Sequence, residues 1–231
     1  MIDLHTHILW GMDDGAKTLD DSLSMVQALE RNGVDTIVLT PHHGPRRGYT
    51  FDEQKARKQQ AILQDALKQQ NSAVTLSLGC EIDASGDIFA NLNAGITLNE
   101  TEYVLIDFGM ERVDIEETVY ALSLKGVKVV VAHAERYHKV SLSTWHNVKA
   151  LGAMIQVNAA HVIRQGSPKS RKIARALLKD DLVDIIASDM HDTKHAQFMR
   201  KAYKRIHAKY GVKRAQSYFE TNPAKVLGVE R

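Results

Sequence analysis

A chain of 231 residues that is 44% hydrophobic can bury one substantial core, and length alone predicts a single globular domain over residues 1–231. Its 30 basic and 28 acidic side chains leave a formal charge of +2 with no long run of either sign, which argues against nucleic acid or an anionic membrane as partner. The single cysteine, Cys80, excludes an internal disulfide and a cysteine-rich zinc module; no apolar stretch reaches a membrane span and no secretion signal is evident, so a cytoplasmic location is expected.

The first β-branched run, residues 2–8, carries His5 and His7, whose side chains face the same way on a strand, and leads to Asp14. A helix is expected at 19–31, then a strand at 35–39 ending in TPHH, with His42 and His43. After a helical segment at 52–69, the run 74–78 ends in GCE with Glu81, and the run 103–106 ends in IDF with Asp107. A helix at 116–125 precedes a strand at 127–132, which ends in AHAER with His133 and Arg136. A helix at 144–151 leads to the strand 154–157 with NAAH after it. A helix at 170–179 leads to the strand 183–187, followed by SDMH with Asp189 and His191.

Strand and helix in alternation predict parallel β/α units. Histidines and carboxylates stand at the carboxyl end of nearly every strand. In a closed barrel those ends converge on one face, whereas an open sheet spreads them along an edge, so a small β/α barrel is favoured.

His5, His7, Asp14, His42, Glu81, Asp107, His133, Asp189 and His191 make a ligand set of nitrogen and oxygen without sulfur, which suits zinc, manganese or iron. They are too many for one catalytic ion, so two or three metals sharing carboxylates are implied. The four acids against three divalent ions leave about +2, a site that would receive a phosphate dianion. His138, His146 and His207 read as ordinary loop or surface residues, and His43 and His161 as either partners of ligands or solvated loop. Asp13 reads as a turn or cap residue because adjacent side chains diverge, and Cys80 as a small core residue facing away from Glu81. Six residues after Cys80 stands Gly86, not the arginine of a cysteine-based phosphatase loop.

DLHTHIL with Asp14, TPHH, GCE, IDF, AHAERY and SDMH, in that order, resemble the polymerase and histidinol phosphatase (PHP) superfamily. HILWGMDDGAKTLDDSLSM, AHAERY, QVNAAHV and FETNPAKVL narrow the similarity to its bacterial capsule and exopolysaccharide tyrosine phosphatases, over essentially the whole chain. The resemblance implies a distorted seven-stranded (β/α)7 TIM-like barrel with a trinuclear site, usually active with Mn2+. The implied activity is hydrolysis of phosphotyrosine by a metal-bridging hydroxide, with the tyrosine-rich tail of a membrane-associated bacterial tyrosine kinase as substrate.

By the same resemblance the nine residues are metal ligands, with Asp107 where relatives often have glutamate, and Arg136 lies against phosphate. His43 or His195 could supply a proton. A second arginine expected shortly after D-x-H is missing from HDTKHAQFMR, where His195 and Arg200 stand nearby. The rival readings are a small-molecule phosphatase of the histidinol-phosphate type and a non-catalytic phosphotyrosine-binding module.

Overall fold

The computed structural model describes residues 1–93, 96–110 and 114–230. Its strands are β1 (Ile2–Thr6), β2 (Thr36–Leu39), β3 (His42–His43), β4 (Thr75–Leu78), β5 (Glu81–Asp83), β6 (Tyr103–Asp107), β7 (Lys128–Val131), β8 (Met154–Asn158) and β9 (Ile185–Ala187). The helices are α1 (Leu19–Arg31), α2 (Glu53–Gln69), α3 (Ile88–Asn93), α4 (Ile115–Ser123), α5 (Leu142–Ala150), α6 (Ala159–Val162), α7 (Pro168–Lys179), α8 (Gln197–Tyr210), α9 (Val212–Gln216) and α10 (Asn222–Leu227).

Every pairing between these strands is parallel, in the orders β1-β2-β4 and β3-β5-β6-β7-β8-β9. The expected runs at 35–39 and 74–78 each resume after a short break, as β3 and β5. Pro41 sits in the first break, where it has no N–H to give a ladder. The breaks stay in step, so Ile37 pairs with Leu76 before them and His42 with Glu81 after them. Two candidate ligands are thereby set side by side.

Beyond β9 the chain returns to β1. Thr6 and Met190 form a parallel bridge, the His7 N–H donates to the Met190 carbonyl at 3.0 Å, and the Asp189 N–H donates to the His5 carbonyl at 3.0 Å. The fold is therefore an α/β arrangement built on a curled parallel sheet.

Helix starts follow the capping chemistry of the sequence. Thr18 and Asp21 form a reciprocal capping box on α1, Asp52 accepts from the Lys55 N–H on α2, and Ser167 accepts from the Ser170 N–H on α7, whose first residue is Pro168. A large core cluster includes Met25 and Leu29 of α1, Leu63 and Leu67 of α2, and Trp145 of α5. A second cluster joins Ile2, Leu4, Val38, Leu105, Val130 and Ile185 to Val226 and Leu227 of α10. Thr101 Oγ1 donates to the Val226 carbonyl at 2.9 Å, and Asn222 Nδ2 donates to that of Asp184 at 2.9 Å. Thus α10 covers the amino ends of the strands, opposite the histidines.

Candidate metal centre

His5 and His7 are fully buried, and their Nε2 atoms lie 3.2 Å apart. Each Nδ1 faces an acceptor behind it: Gln156 Oε1 at 3.3 Å from His5 and Asp13 Oδ2 at 2.7 Å from His7. With Nδ1 carrying the proton, each Nε2 is left to meet a cation, the usual arrangement of a metal-bound imidazole. Asp13 also accepts from the His42 N–H at 3.0 Å and the Gly15 N–H at 2.9 Å. It is thus a turn residue, as expected, and in addition the partner that orients His7.

Glu81 occupies the middle of the cluster. Its Oε1 is 2.8 Å from His133 Nε2, and its Oε2 is 2.6 Å from His42 Nδ1, 3.4 Å from His5 Nε2 and 3.6 Å from His7 Nε2. Asp189 Oδ1 stands 3.4 Å from His7 Nε2 and 3.7 Å from His191 Nδ1. Asp14 Oδ1 is 3.4 Å from His42 Nε2 and 3.3 Å from His191 Nε2. Among the described residues three groups present converging donor atoms: His7, Asp14, His42 and His191; His5, His7 and Glu81; and Glu81, Asp107 and His133. The first and second groups share His7, and the second and third share Glu81.

His42 Nε2 and His133 Nδ1 are buried without a hydrogen-bond partner. A buried polar atom left so costs about 1–3 kcal/mol, and a cation would relieve it. These donors therefore fit a divalent metal. His133 and Asp189 also adopt left-handed backbone conformations, with φ of 32° and 52°. Non-glycine residues hold such geometry where surrounding contacts enforce it, commonly at functional sites.

Electrostatics follow the same pairing. Burial opposes the charge of Glu81, but His5 and the hydrogen bonds from His133 and His42 hold its carboxyl well below the ordinary range. Burial likewise opposes charge on Asp189, and His5 and His7 again win. Burial works against a charged His7, yet hydrogen bonds to Asp13 and Asp189 raise its pKa to about 10. His191 moves down, through burial and the neighbouring His7.

Asp107 lies at the edge of the cluster. Tyr137 donates to its Oδ1 at 3.1 Å and the Gly109 N–H donates to the same atom at 2.8 Å, while Arg46 Nη2 is 2.6 Å from Oδ2. Arg136 Nη1 is 3.3 Å from Asp189 Oδ2. A cavity of about 910 Å³ opens beside the cluster, lined in part by Arg46, Arg47, Asp107, His133, Arg136 and Tyr137.

His43 stays outside the cluster. Its Nδ1 accepts from the Phe51 N–H at 2.9 Å and its Nε2 faces Asn91 Oδ1 at 2.9 Å, so both ring nitrogens fasten the loop after β3. As a proton donor it has no free nitrogen. His195 pairs with Asp192 at 3.1 Å, and Arg200 is exposed on α8. His138 bonds Ser170, and His207 stacks on Tyr203. Cys80 is buried with its Sγ against the Pro41 carbonyl at 3.2 Å.

Behind the candidate ligands runs a polar chain whose members the sequence does not link to one another. Asn158 Nδ2 donates to Asp189 Oδ2 at 2.7 Å, Gln156 Nε2 donates to Asn158 Oδ1 at 2.7 Å, and buried Glu135 takes the Asn158 N–H at 3.2 Å and His161 Nδ1 at 2.6 Å. Its strand-end placement was visible; its connectivity was not.

Residues 1–228 match the family described as capsular polysaccharide synthesis, CpsB/CapC. The chain is 32% identical over 241 residues to the tyrosine-protein phosphatase CpsB of Streptococcus agalactiae serotype III (strain NEM316), covering 98% of each chain. It is 33% identical over 209 residues to the tyrosine-protein phosphatase YwqE of Bacillus subtilis (strain 168), covering 86% of this chain and 80% of that one. A chain from the crystal structures of YwqE from Bacillus subtilis and CpsB from Streptococcus pneumoniae, described as unique metal-dependent tyrosine phosphatases, superposes with a TM-score of 0.88 at 28% identity, covering 100% of this chain and 96% of that one. With the match running from the first residue to Leu227 and Gly228, the chain belongs to the CpsB/CapC family.

Proposed function

We propose that this chain is a metal-dependent protein-tyrosine phosphatase, acting in the cytoplasm as one domain on the phosphorylated tyrosine-rich tail of a bacterial tyrosine kinase that governs capsule or exopolysaccharide synthesis. The names of its relatives support the activity. The observation that carries it is Glu81, whose two oxygens reach four histidines beside a cavity lined by Arg136. We further read the interrupted strands as single ones, which gives a seven-stranded distorted barrel closed between Thr6 and Met190.

The proposed ligands are His5, His7, Asp14, His42, Glu81, Asp107, His133, Asp189 and His191, holding three ions, with Mn2+ preferred over Fe or Zn. Bound there, the ions would supply Lewis acidity toward the phosphoryl oxygens and a water activated near neutral pH. Asp13 and Gln156 fix the imidazoles, and Asn158 fixes Asp189. Arg136 releases Asp189 to take the equatorial phosphoryl oxygens, for which its planar fork is suited. A phenolate leaving group, with a parent pKa near 10, needs little acid assistance, which accords with the engaged nitrogens of His43.

The test is phosphate release from a tyrosine-phosphorylated, tyrosine-rich peptide and from histidinol phosphate, side by side, after metal is stripped and manganese restored. Faster, metal-requiring release from the peptide is expected. Preference for histidinol phosphate would move the chain to the small-molecule phosphatases, and binding without release from either would leave a phosphotyrosine-binding module.

A further inference from the structure

The balanced charge of the whole chain conceals a segregated one. Helix α7 carries Lys169, Arg171, Lys172, Arg175 and Lys179 and no acid, and helix α8 carries Arg200, Lys201, Lys204, Arg205 and Lys209 and no acid. Both helices pack against the short α6. Between the three lies a cavity of about 250 Å³, separate from the one beside the metal cluster.

Its floor is apolar, made by Val162, Ala174, Leu178 and Ile206. Its rim is cationic, made by Arg164, Arg171, Arg175, Arg205 and Lys209, and no acidic residue lines it. None of these five is in an ion pair among the described residues; Arg171 donates only to the Arg164 carbonyl at 2.9 Å, and Lys209 lies over the Tyr210 ring. Helix α7 also sorts its cations. On α7 both arginines line the cavity and Lys169, Lys172 and Lys179 do not; on α8 Arg205 and Lys209 line it, and Arg200, Lys201 and Lys204 do not. Cations turned to water can be either type, whereas guanidinium forks gathered around one groove match the paired oxygens of a phosphate. Arg164 holds a left-handed backbone, φ 68°, at the groove's edge. His161, which lines the same cavity, is 2.6 Å from Glu135, the neighbour of Arg136.

We propose that the groove between α6, α7 and α8 is a second anion site, which binds a compound carrying one or more phosphate groups on a small organic or apolar body. The phosphate would meet the arginines and the body would rest on the floor. This site does not depend on the phosphatase reading. Its ligand chemistry is shared by soluble phosphate compounds and by phospholipid headgroups.

The test is calorimetric titration of the intact, metal-stripped chain with pyrophosphate and with ADP, on the parent protein, Arg136→Ala, Arg171→Gln/Arg175→Gln and the charge-keeping Arg171→Lys/Arg175→Lys. Binding should survive Arg136→Ala and weaken by about tenfold or more in the glutamine variant, with partial loss in the lysine variant. Cosedimentation with vesicles of neutral lipid and with vesicles holding phosphatidylglycerol separates the sources. Saturable binding of ADP with none to vesicles assigns a soluble ligand, and vesicle binding that free pyrophosphate displaces assigns a headgroup. Equal affinity in all four proteins would overturn the proposal, as would binding lost only in Arg136→Ala. Vesicle binding that pyrophosphate cannot displace would also overturn it, in favour of a diffuse basic face. Should the glutamine pair fail to fold, the single Arg175→Gln variant, exposed on α7, carries the same comparison.

Discussion

Asp13 Oδ2 lies 2.7 Å from His7 Nδ1, and this contact fixes which nitrogen of His7 faces the cluster. Because Asp13 is also buried, it holds the ring against rotation as well as against the wrong tautomer. Asp13→Ala is expected to lower manganese affinity by about 10- to 100-fold, with activity recovering as metal is raised. Metal titration followed by phosphate release checks this. Unchanged metal affinity would show that His7 is oriented by something else.

The same pair sets a pH dependence. The raised pKa of His7, about 10 against 6.5, contributes stability to the metal-free chain that is complete below 6.5 and lost as pH rises through about 10. Asp13 is held far below its ordinary 3.8, by His7 and the backbone donors against the opposing effect of burial. Its contribution is present above 3.8 and lost as pH falls toward the lowered value. Metal binding runs the other way, since a ligating imidazole must give up the proton that His7 holds at neutral pH. Affinity should therefore rise about tenfold per pH unit for each proton displaced. Titrations at pH 7 in buffers of different ionisation enthalpy should show at least one proton released per chain; none released would remove His7 from the ligand set.

Most of the candidate ligands lie together because they follow apolar runs, and strand ends in parallel β/α folds gather at one place. Asp14 is brought in by the loop after β1 instead. What could not be read were contacts made across long separations. Gln156 serves His5 from 151 residues away, and Glu135 is bound to His161 through a fold that brings β7 and β8 together. Asp13 is the turn residue that the divergence of adjacent side chains predicts, but that rule says which way Asp14 points and not what else Asp13 meets. The resumption of the strands as β3 and β5 was invisible because His42–His43 and Glu81–Asp83 are short and mostly polar, with no apolar run to mark them. The basic groove was hidden by a net charge near zero, which averages over the faces that packing separates.

Arg46 lies 2.6 Å from Asp107 and 3.3 Å from Asp83, and it lines the cavity that Arg136 shares. It stands on the loop after β3, at the wall of that cavity. Arg46→Ala should raise KM for the phosphopeptide by about tenfold while kcat changes less than about twofold, and leave a small aryl phosphate nearly unaffected. Steady-state kinetics on both substrates decide it. An equal fall in kcat for the two would mean that Arg46 acts through Asp107 and the metal rather than on the peptide.

Gly15 has no room for a side chain. A Cβ there would overlap the His7 carbonyl oxygen and come within 2.7 Å of His7 Cβ, both parts of a buried strand end that cannot move aside. The Gly15 N–H also donates to Asp13 Oδ1 at 2.9 Å, and the next N–H, of Ala16, donates to the His7 carbonyl at 3.1 Å. Gly15→Ala must therefore push the 11–16 loop off β1, carrying Asp13 and Asp14 with it. Met12 and Ala16 of that loop reach the core, but no strand ladder runs through it, so far-UV circular dichroism should be largely retained while metal binding falls by at least about 10-fold. Gly126→Ala is the matched control. Its φ of 75° makes alanine strained, but nothing lies within 4 Å of the added carbon, so it should cost about 1 kcal/mol of stability and leave metal binding intact. Equal metal affinity in the two variants would mean that the close approach of Gly15 to His7 plays no part in holding the centre.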